Sequence, residues 1–406
     1  MADDLAELRR APRFTEVQEW ASPTRGFLLG CAPGVASLYE RDAGAAHFDA
    51  EGRWTRAVLD GRTYLRGLDG RVLLRFGANG DEPLAPAERL AVHGAVHAFV
   101  AAAAHAGGPE ALTAAAATWT AERLEAESER FLEAYRPVGI VPPDRYRSLI
   151  IQATVGCAWN GCLFCSLYRK QPARVKSLAE LAEHIARVKA FVGLGVARRR
   201  GIFLGEANAL ATPQPVLVAM LEHLAAALPE LVRADHADPR PGGGVASFID
   251  AFTDTDKDAA EYAELRTRGL RRVFLGVESG DEDVLAFLRK PATRAGVLST
   301  VRALKAGGLS VGVILLVGAG GTRRSATHVA ESASLVGAMP LDESDVVYLS
   351  ALVTEAGGRF DREAARSGLA LLGPEALRRE EAELRERLRG TRAQVARYDV
   401  RRFVYA

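Results

Sequence analysis

Through residues 148–352, short runs of β-branched and aromatic residues alternate with amphipathic stretches of helical period, a pattern that few folds accept. Strands that bury both faces need helices to cover them, so the alternation predicts β/α units around a parallel sheet. Six strands are expected, near Ser148–Val155, Gly201–Gly205, Ala246–Thr253, Arg272–Val277, Ser310–Val317 and Asp345–Leu352. Helices are expected near Ser177–Leu194, Gln214–Leu228, Lys257–Arg268, Ala295–Ala306 and Thr327–Gly337, and Gly269 stands after the third where a C-cap belongs.

Six such units fall short of the eight that close a standard barrel. The expected fold class is therefore α/β: a partial (β/α)6 TIM-like barrel with a small N-terminal α+β lobe and a C-terminal helical extension. The corresponding parts are residues 1–146, 147–356 and 357–406. In the first, Thr63–Phe76 reads as a hairpin around Asp69-Gly70, and Pro86–Tyr135 reads as two helices broken at Gly107-Gly108-Pro109. Pro137–Asp144, with three prolines, looks like a linker, and Asp235–Gly244 is an irregular insertion. In the last part Glu375–Arg389 interleaves acids and bases at helical spacing and is expected as a solvated helix closing the bottom of the domain, with Tyr398–Tyr405 a candidate returning strand.

The 406 residues carry 52 basic and 51 acidic side chains, so no global field would draw the protein to nucleic acid or an anionic membrane. No apolar run reaches the length of a membrane span, and Met1–Arg10 lacks the h-region of a signal peptide, which points to the cytoplasm. The chain has four cysteines, three of them within nine residues, a spacing suited to metal in a reducing cell rather than to a disulfide framework.

Those three lie in Thr154-Val-Gly-Cys157-Ala-Trp-Asn-Gly-Cys162-Leu-Phe-Cys165, a C-x4-C-x2-C run that follows the first expected barrel strand. In β/α barrels the working groups sit on loops leaving the C-terminal ends of strands, and this is such a loop. Three thiolates can hold three irons of a cubane, and with no fourth cysteine nearby one iron stays open to an exogenous ligand such as the amino and carboxylate groups of S-adenosylmethionine. A zinc site would need a fourth ligand, and the nearest histidines, His184 and His236, fall in a helix and a distant loop. Three merely buried thiols fit poorly with the turn residues Gly156, Asn160 and Gly161 around them. Cys31 reads as a small buried hydrophobe, the alternatives being a substrate-facing thiol or a remote fourth ligand.

The loop resembles the cluster motif of the radical S-adenosylmethionine superfamily, usually C-x3-C-x2-C with an aromatic residue before the last cysteine, as Phe164 is here. This chain has one residue more between the first two cysteines. The resemblance implies a [4Fe-4S] cluster on Cys157, Cys162 and Cys165. Gly205-Glu206, after the second strand, is similar to the family's GGE motif with Leu204 in place of the first glycine, and implies a carboxylate for the methionyl ammonium. Glu278-Ser279-Gly280 is similar to the ribose-contacting segment. The run on to Lys290 resembles relatives of the Elongator, methylthiotransferase and NifB type, where Lys290 would neutralise the methionyl carboxylate; a surface lysine is the other reading. Gly312 and Ile314 fall in a stretch close to the adenine segment G-x-I-x-G-x-x-E, with Gly318 late and no Glu following. The implied reaction is one-electron cleavage of S-adenosylmethionine and hydrogen abstraction by a 5'-deoxyadenosyl radical, on a small-molecule substrate, fed by an external donor such as flavodoxin or ferredoxin. One spare cysteine cannot build a second cluster.

Outside these motifs, Asp250 is a candidate to face substrate; it sits in an apolar strand and should meet a partner in the barrel. Tyr168, Arg169 and Lys170 follow the cluster loop and either reach substrate or solvate the loop. Asp254 reads as a helix cap. Gly318-Ala-Gly320-Gly321-Thr322 lacks the Lys-Ser/Thr of a phosphate loop and gives only a weak phosphate signal. The rival readings are an iron-sulfur electron carrier and a zinc-stabilised binding protein, neither with radical chemistry.

Overall fold

Alternating burial makes the start of the chain a sheet. In Phe27–Ala32 the odd-numbered residues Phe27, Leu29 and Cys31 are buried and Leu28 and Gly30 are exposed, the two-residue period of a strand covered on one face. The computed structural model describes residues 18–23, 26–32, 34–76, 81–169, 171–232, 243–253 and 257–405, which fall by their contacts into two units. The first takes the described residues up to Val138, with Ala186–Arg199 and residues 401–405; the second takes those of Gly139–Ile185 and Arg200–Val400.

In the first unit eight antiparallel strands pair in sequence order: β1 (Gln18–Ala21), β2 (Phe27–Ala32), β3 (Val35–Glu40), β4 (Gly44–Asp49), β5 (Trp54–Leu59), β6 (Arg62–Arg66), β7 (Val72–Arg75) and β8 (Asp81–Pro83). The expected hairpin is β6–β7, with Gly70 at φ +79° in its turn. The sheet around it is larger than a single hairpin. Helices α1 (Pro86–His105), α2 (Glu110–Thr118) and α3 (Ala121–Ala134) follow, three where two were expected. The second break falls at Trp119, after which the Thr120 hydroxyl accepts from the Arg123 N–H and starts α3. Phe27, Leu38, Phe48 and Trp54 of the sheet share a buried core with Val96, Val100, Leu112 and Leu124 of the helices. Residues from the far end of the sequence complete this unit: the Leu68 N–H donates to the Tyr405 carbonyl at 2.6 Å, and the Tyr405 and Tyr135 hydroxyls lie 3.0 Å apart.

The second unit is built on a parallel sheet of seven strands, ordered β17-β16-β15-β14-β13-β12-β9. These are β9 (Leu149–Gln152), β12 (Ile202–Gly205), β13 (Val245–Ile249), β14 (Leu270–Glu278), β15 (Ser310–Val317), β16 (Val346–Ala351) and β17 (Gln394–Tyr398). The short pair β10 (Thr154–Val155) and β11 (Arg174–Val175) lies outside the sheet. Helices intervene in chain order: α4 (Leu178–Val192), whose residues from Ala186 on count with the first unit, α5 (Gln214–Ala227), α6 (Pro229–Val232), α7 (Ala259–Thr267), α8 (Glu282–Phe287), α9 (Arg294–Ala306), α10 (Gly321–Gly337), α11 (Arg359–Ser367) and α12 (Pro374–Arg387). The six expected strands are present, and β17 adds a seventh. It lies at Gln394–Tyr398, whereas the returning strand was expected over Tyr398–Tyr405, where Val400–Arg402 makes a 3-10 turn instead. Because β17 pairs with β16, residues 357–400 lie with the sheet rather than in a third part.

Interior side chains of neighbouring strands stack as aromatic rings. Phe203, Phe248, Phe274 and Tyr348 are in ring contact at centroid separations of 5.3–6.5 Å, and Tyr398 continues the layer at 5.7 Å from Tyr348. This layer fills the barrel below the C-terminal ends of the strands. Among the described residues no helix is long and apolar enough to cross a membrane. Asp254, Lys170, His236 and most of the Asp235–Gly244 insertion lie outside the described residues; the cap of α7 is Asp258, whose side chain accepts from the Glu261 N–H.

Candidate active site

The cysteine loop is stapled at its base. β10 leaves the end of β9 and pairs antiparallel with β11, Thr154 opposite Val175 and Val155 opposite Arg174. Gly156 turns the chain at φ +70°, and a Cβ there would stand 2.7 Å from the Gln171 carbonyl. Within the longer gap between the first two cysteines, Asn160 takes φ +48°, a conformation Asn tolerates better than most residues, and its amide donates to the Tyr168 carbonyl at 2.9 Å. Trp159 donates its ring N–H to the Arg289 carbonyl at 2.8 Å and lies edge-on to Phe252. Leu163 is buried among Val284, Leu288, Leu316 and Phe360, with Phe164 packed against the same cluster. Arg169 spans the carbonyls of Cys165 and Leu163 at 2.7 and 2.9 Å. Its guanidinium therefore shapes the loop.

All three thiols are partly buried and outside any disulfide. Burial pushes the Cys162 thiol up to about 11, against the pull of Lys290, with Glu278 and the other two cysteines adding to the rise. Cys165 is also raised by burial, the Leu167 N–H opposing. The thiols are close enough to influence one another, yet among the described residues no three His, Cys, Asp or Glu side chains stand grouped as a metal site. Binding a metal through all three requires their protons to leave and the loop to draw in. As a donor set they fit an iron-sulfur cluster: soft sulfurs on one loop, with no fourth protein ligand grouped with them among the described residues. His184 is spoken for, its Nε2 accepting the Gln152 N–H at 2.9 Å, and Cys31 is packed in the core of the first unit.

Around the loop stand the strand ends. Glu206, after β12, is 7% exposed; its carboxylate accepts from the Gly156 N–H and the Gln152 amide, each at 2.8 Å, and its own N–H donates to Thr154 Oγ1 at 3.0 Å. It thus ties the second strand to the first residue of the loop. Glu278, at the end of β14, lies 2.9 Å from Lys290 Nζ, both side chains 8% exposed. Burial disfavours the Lys290 charge, but Glu278, with Cys162 and Asp250 adding to it, holds the ammonium above the ordinary lysine range. Lys290 is therefore a buried partner rather than a surface lysine. Gly276 makes the pair possible: a Cβ there would strike Glu278 Oε1 and stand 3.2 Å from Lys290 Nζ.

Several expected contacts lie elsewhere. The Ser279 hydroxyl is fully buried, 2.7 Å from His328 Nδ1, and faces helix α10 rather than a sugar. Gly312 sits near the start of β15, where a Cβ would strike the Phe274 ring, so its smallness serves the aromatic layer. Ile314, two residues on, is 7% exposed beside Gly276. Asp250 follows β13 and meets the partner its burial demands: its oxygens accept from Asn208 Nδ2, the Phe252 and Thr253 N–H groups and the Thr253 hydroxyl at 2.7–3.1 Å. It closes the turn after β13. Tyr168 is 7% exposed, its phenol proton held well above the ordinary range by burial, with Glu206 and the thiols adding to this. The glycine run opening α10 is closed to phosphate, since the N–H groups of Gly318 and Thr322 donate to Glu380 and the Ala370 carbonyl. Nor does the charged helix α12 close the bottom of the domain: Leu377 and Glu380 pack against Gly318, at the C-terminal end of β15. The sequence reading missed Gly276, His328, Arg324 and Glu380. For Gly276 alone a signal existed, a glycine two residues before an acid inside an apolar strand.

Residues 151–333 match the sequence model of the Radical SAM superfamily. No curated protein matches the chain. Among solved structures, coproporphyrinogen III oxidase (HemN) from Escherichia coli is 14% identical with a TM-score of 0.41, over 64% of this chain and 56% of that one. The radical S-adenosylmethionine methyltransferase TsrM from Kitasatospora setae, with tryptophan and a SAM analogue bound, is 15% identical with a TM-score of 0.39, over 64% and 57%. Elp3 from the archaeon Methanocaldococcus infernus is 12% identical with a TM-score of 0.38, over 61% and 56%. The chain spans 30–57% of the length of TsrM and of the cobalamin-dependent enzyme OxsB. Likeness at these scores carries no weight; the matched segment does, and it contains the three cysteines, Glu206, Glu278 and Lys290. Residues 151–333 thus form a radical SAM superfamily domain, the domain of enzymes that work with a [4Fe-4S] cluster and S-adenosylmethionine.

Proposed function

We propose that the protein cleaves S-adenosylmethionine reductively and uses the 5'-deoxyadenosyl radical to take a hydrogen atom from a small-molecule substrate. The observation that carries this reading is the three-cysteine loop at the C-terminal end of β9, closed onto β12 by Glu206 and flanked by the buried Glu278–Lys290 pair. Cys157, Cys162 and Cys165 would hold the cluster, which when bound supplies one electron at low potential and an open iron for the methionyl end of the nucleotide. Glu206 offers a buried carboxylate to the methionyl ammonium, and Lys290 a buried cation to its carboxylate. Glu278 keeps Lys290 charged. The aromatic layer excludes water from below. An external one-electron donor such as flavodoxin or ferredoxin completes the cycle, and the free thiols suit the reducing cytoplasm.

Two measurements test this reading. Reconstituted anaerobically and reduced with dithionite, the full chain is expected to release 5'-deoxyadenosine and methionine slowly without substrate. A full cluster with measurable nucleotide binding and no 5'-deoxyadenosine under several reductants would instead mark an electron carrier. Glu206→Ala removes a charged acceptor from the Gly156 N–H and from the ammonium, a loss worth about 1.5 to 3 kcal/mol, or roughly tenfold to a hundredfold in affinity. Titration of the reconstituted variant is expected to show that weakening, and unchanged affinity would exclude the role.

A further inference from the structure

Behind Glu278 lies a buried polar chain that this chemistry does not use. Glu278 takes φ +66°, and the Ser279 N–H donates back to the Val277 carbonyl at 2.8 Å, a tight turn centred on the acid. A side chain held there is strained and persists only where its surroundings over-determine it. The next three residues are pinned to α10. Ser279 Oγ lies 2.7 Å from His328 Nδ1 and accepts the Asp281 N–H at 3.0 Å. The Gly280 N–H donates to Ser332 Oγ at 2.9 Å, and Asp281 takes the Arg324 guanidinium on both oxygens at 2.8 and 2.9 Å. Arg324, His328 and Ser332 recur every four residues, one face of the helix. Gly280 has no room for a Cβ, which would strike the Glu331 backbone.

The chain continues to α12. His328 Nε2 faces the Glu380 carboxylate at 3.8 Å, a contact of charge and packing beyond hydrogen-bond reach, and that carboxylate accepts from the Gly318 N–H at the end of β15 and from the Ser325 hydroxyl. Ser279 and His328 are 0% exposed and Glu380 3%, so this Ser-His-Glu order cannot be a hydrolytic triad: no substrate reaches it. Burial lowers the His328 pKa against the opposing pull of Glu380, Asp281 and the Leu316 backbone, which favours the neutral ring, and the Ser279 hydroxyl lies at hydrogen-bond distance from its Nδ1.

We infer that Glu380 and His328 are positioning residues for Glu278: α12, acting through His328 and Ser279, holds the turn that aims the Glu278 carboxylate at Lys290 and the nucleotide. The nucleotide half of this statement rests on the S-adenosylmethionine reading above. The test takes Glu380→Gln and Ser279→Ala in the full chain, first without cofactor by hydrogen exchange, then reconstituted by titration with S-adenosylmethionine. Both variants are expected to exchange the Gly280 and Asp281 amides about tenfold faster, with amides of the aromatic layer unchanged. The Kd for S-adenosylmethionine should rise about fivefold to tenfold while iron content stays at the wild-type level. Wild-type exchange and Kd in Glu380→Gln would overturn the inference, as would faster exchange spread evenly over the unit. Should Ser279→Ala not fold, Glu380→Gln decides alone. A wild-type protein that binds no S-adenosylmethionine would sink the functional reading, and the cofactor-free exchange would still decide whether α12 holds the turn.

Discussion

Replacing any one of Cys157, Cys162 and Cys165 with alanine is expected to abolish iron retention after anaerobic reconstitution, while Cys31→Ala keeps the wild-type iron content. The asymmetry follows from place. Three thiols share the loop stapled by β10 and β11, and among the described residues no His, Cys, Asp or Glu groups with them to take over from a lost one. Two thiolates cannot close a cubane that already leaves one iron open, so the loss should be near complete rather than graded. Cys31, in the core of the first unit, should cost only the modest stability of a small buried side chain. Iron and sulfide analysis with the thiolate-to-iron absorbance band decides the point; a Cys31→Ala protein without iron beside an iron-bearing Cys157→Ala would refute the site.

The largest effect on stability is expected from Lys290→Met. Alone it leaves the Glu278 carboxylate uncompensated at 8% exposure, and breaking such a pair from one side costs about 3 to 5 kcal/mol. The double variant Glu278→Gln, Lys290→Met removes both charges and should recover most of that loss, although neither variant can hold the nucleotide. Urea unfolding of the cofactor-free chain reads both. Equal destabilisation by the single and double variants would mean that packing, not charge, holds the site. The pH dependence has a definite sign. Because the folded Lys290 pKa lies above the ordinary lysine value, the pair's contribution is fully present below that value and is lost only as pH climbs through the raised folded one. Between neutral and mildly alkaline pH it should be flat.

The parallel sheet could be read from the sequence because its strands are buried on both faces and so appear as unbroken apolar runs: Val313, Leu315 and Val317 on one face of β15, Ile314 and Leu316 on the other. Most of the first sheet could not. In β2 the outward Leu28 is 53% exposed beside buried Phe27 and Leu29, so an apolar residue on the wet face hides the two-residue period. β17, Gln394–Tyr398, is short, breaks its apolar residues with Arg397, and pairs with β16. The cysteines and Glu206 were legible because their spacing is local. The bonds that seat Glu278 are not: Ser279 meets His328 across 49 residues and Gly318 meets Glu380 across 62. Lys290 illustrates the same limit, since nothing in its neighbours along the chain says whether it faces water or Glu278.

Residues 401–405 belong to the unit that begins with β1, where the Tyr405 carbonyl takes the Leu68 N–H and its hydroxyl meets Tyr135. On the ribosome, the meander and its three helices emerge long before that last piece is made. Synthesis delivers residues at about 5 to 20 per second, so the N-terminal sheet waits many seconds with Leu68 and Tyr135 lacking their native partners. Full consolidation of the first-made unit is thus a late event, timed by translation of the rest of the chain, and slow codons between the two pieces would lengthen its exposure to chaperones and proteases.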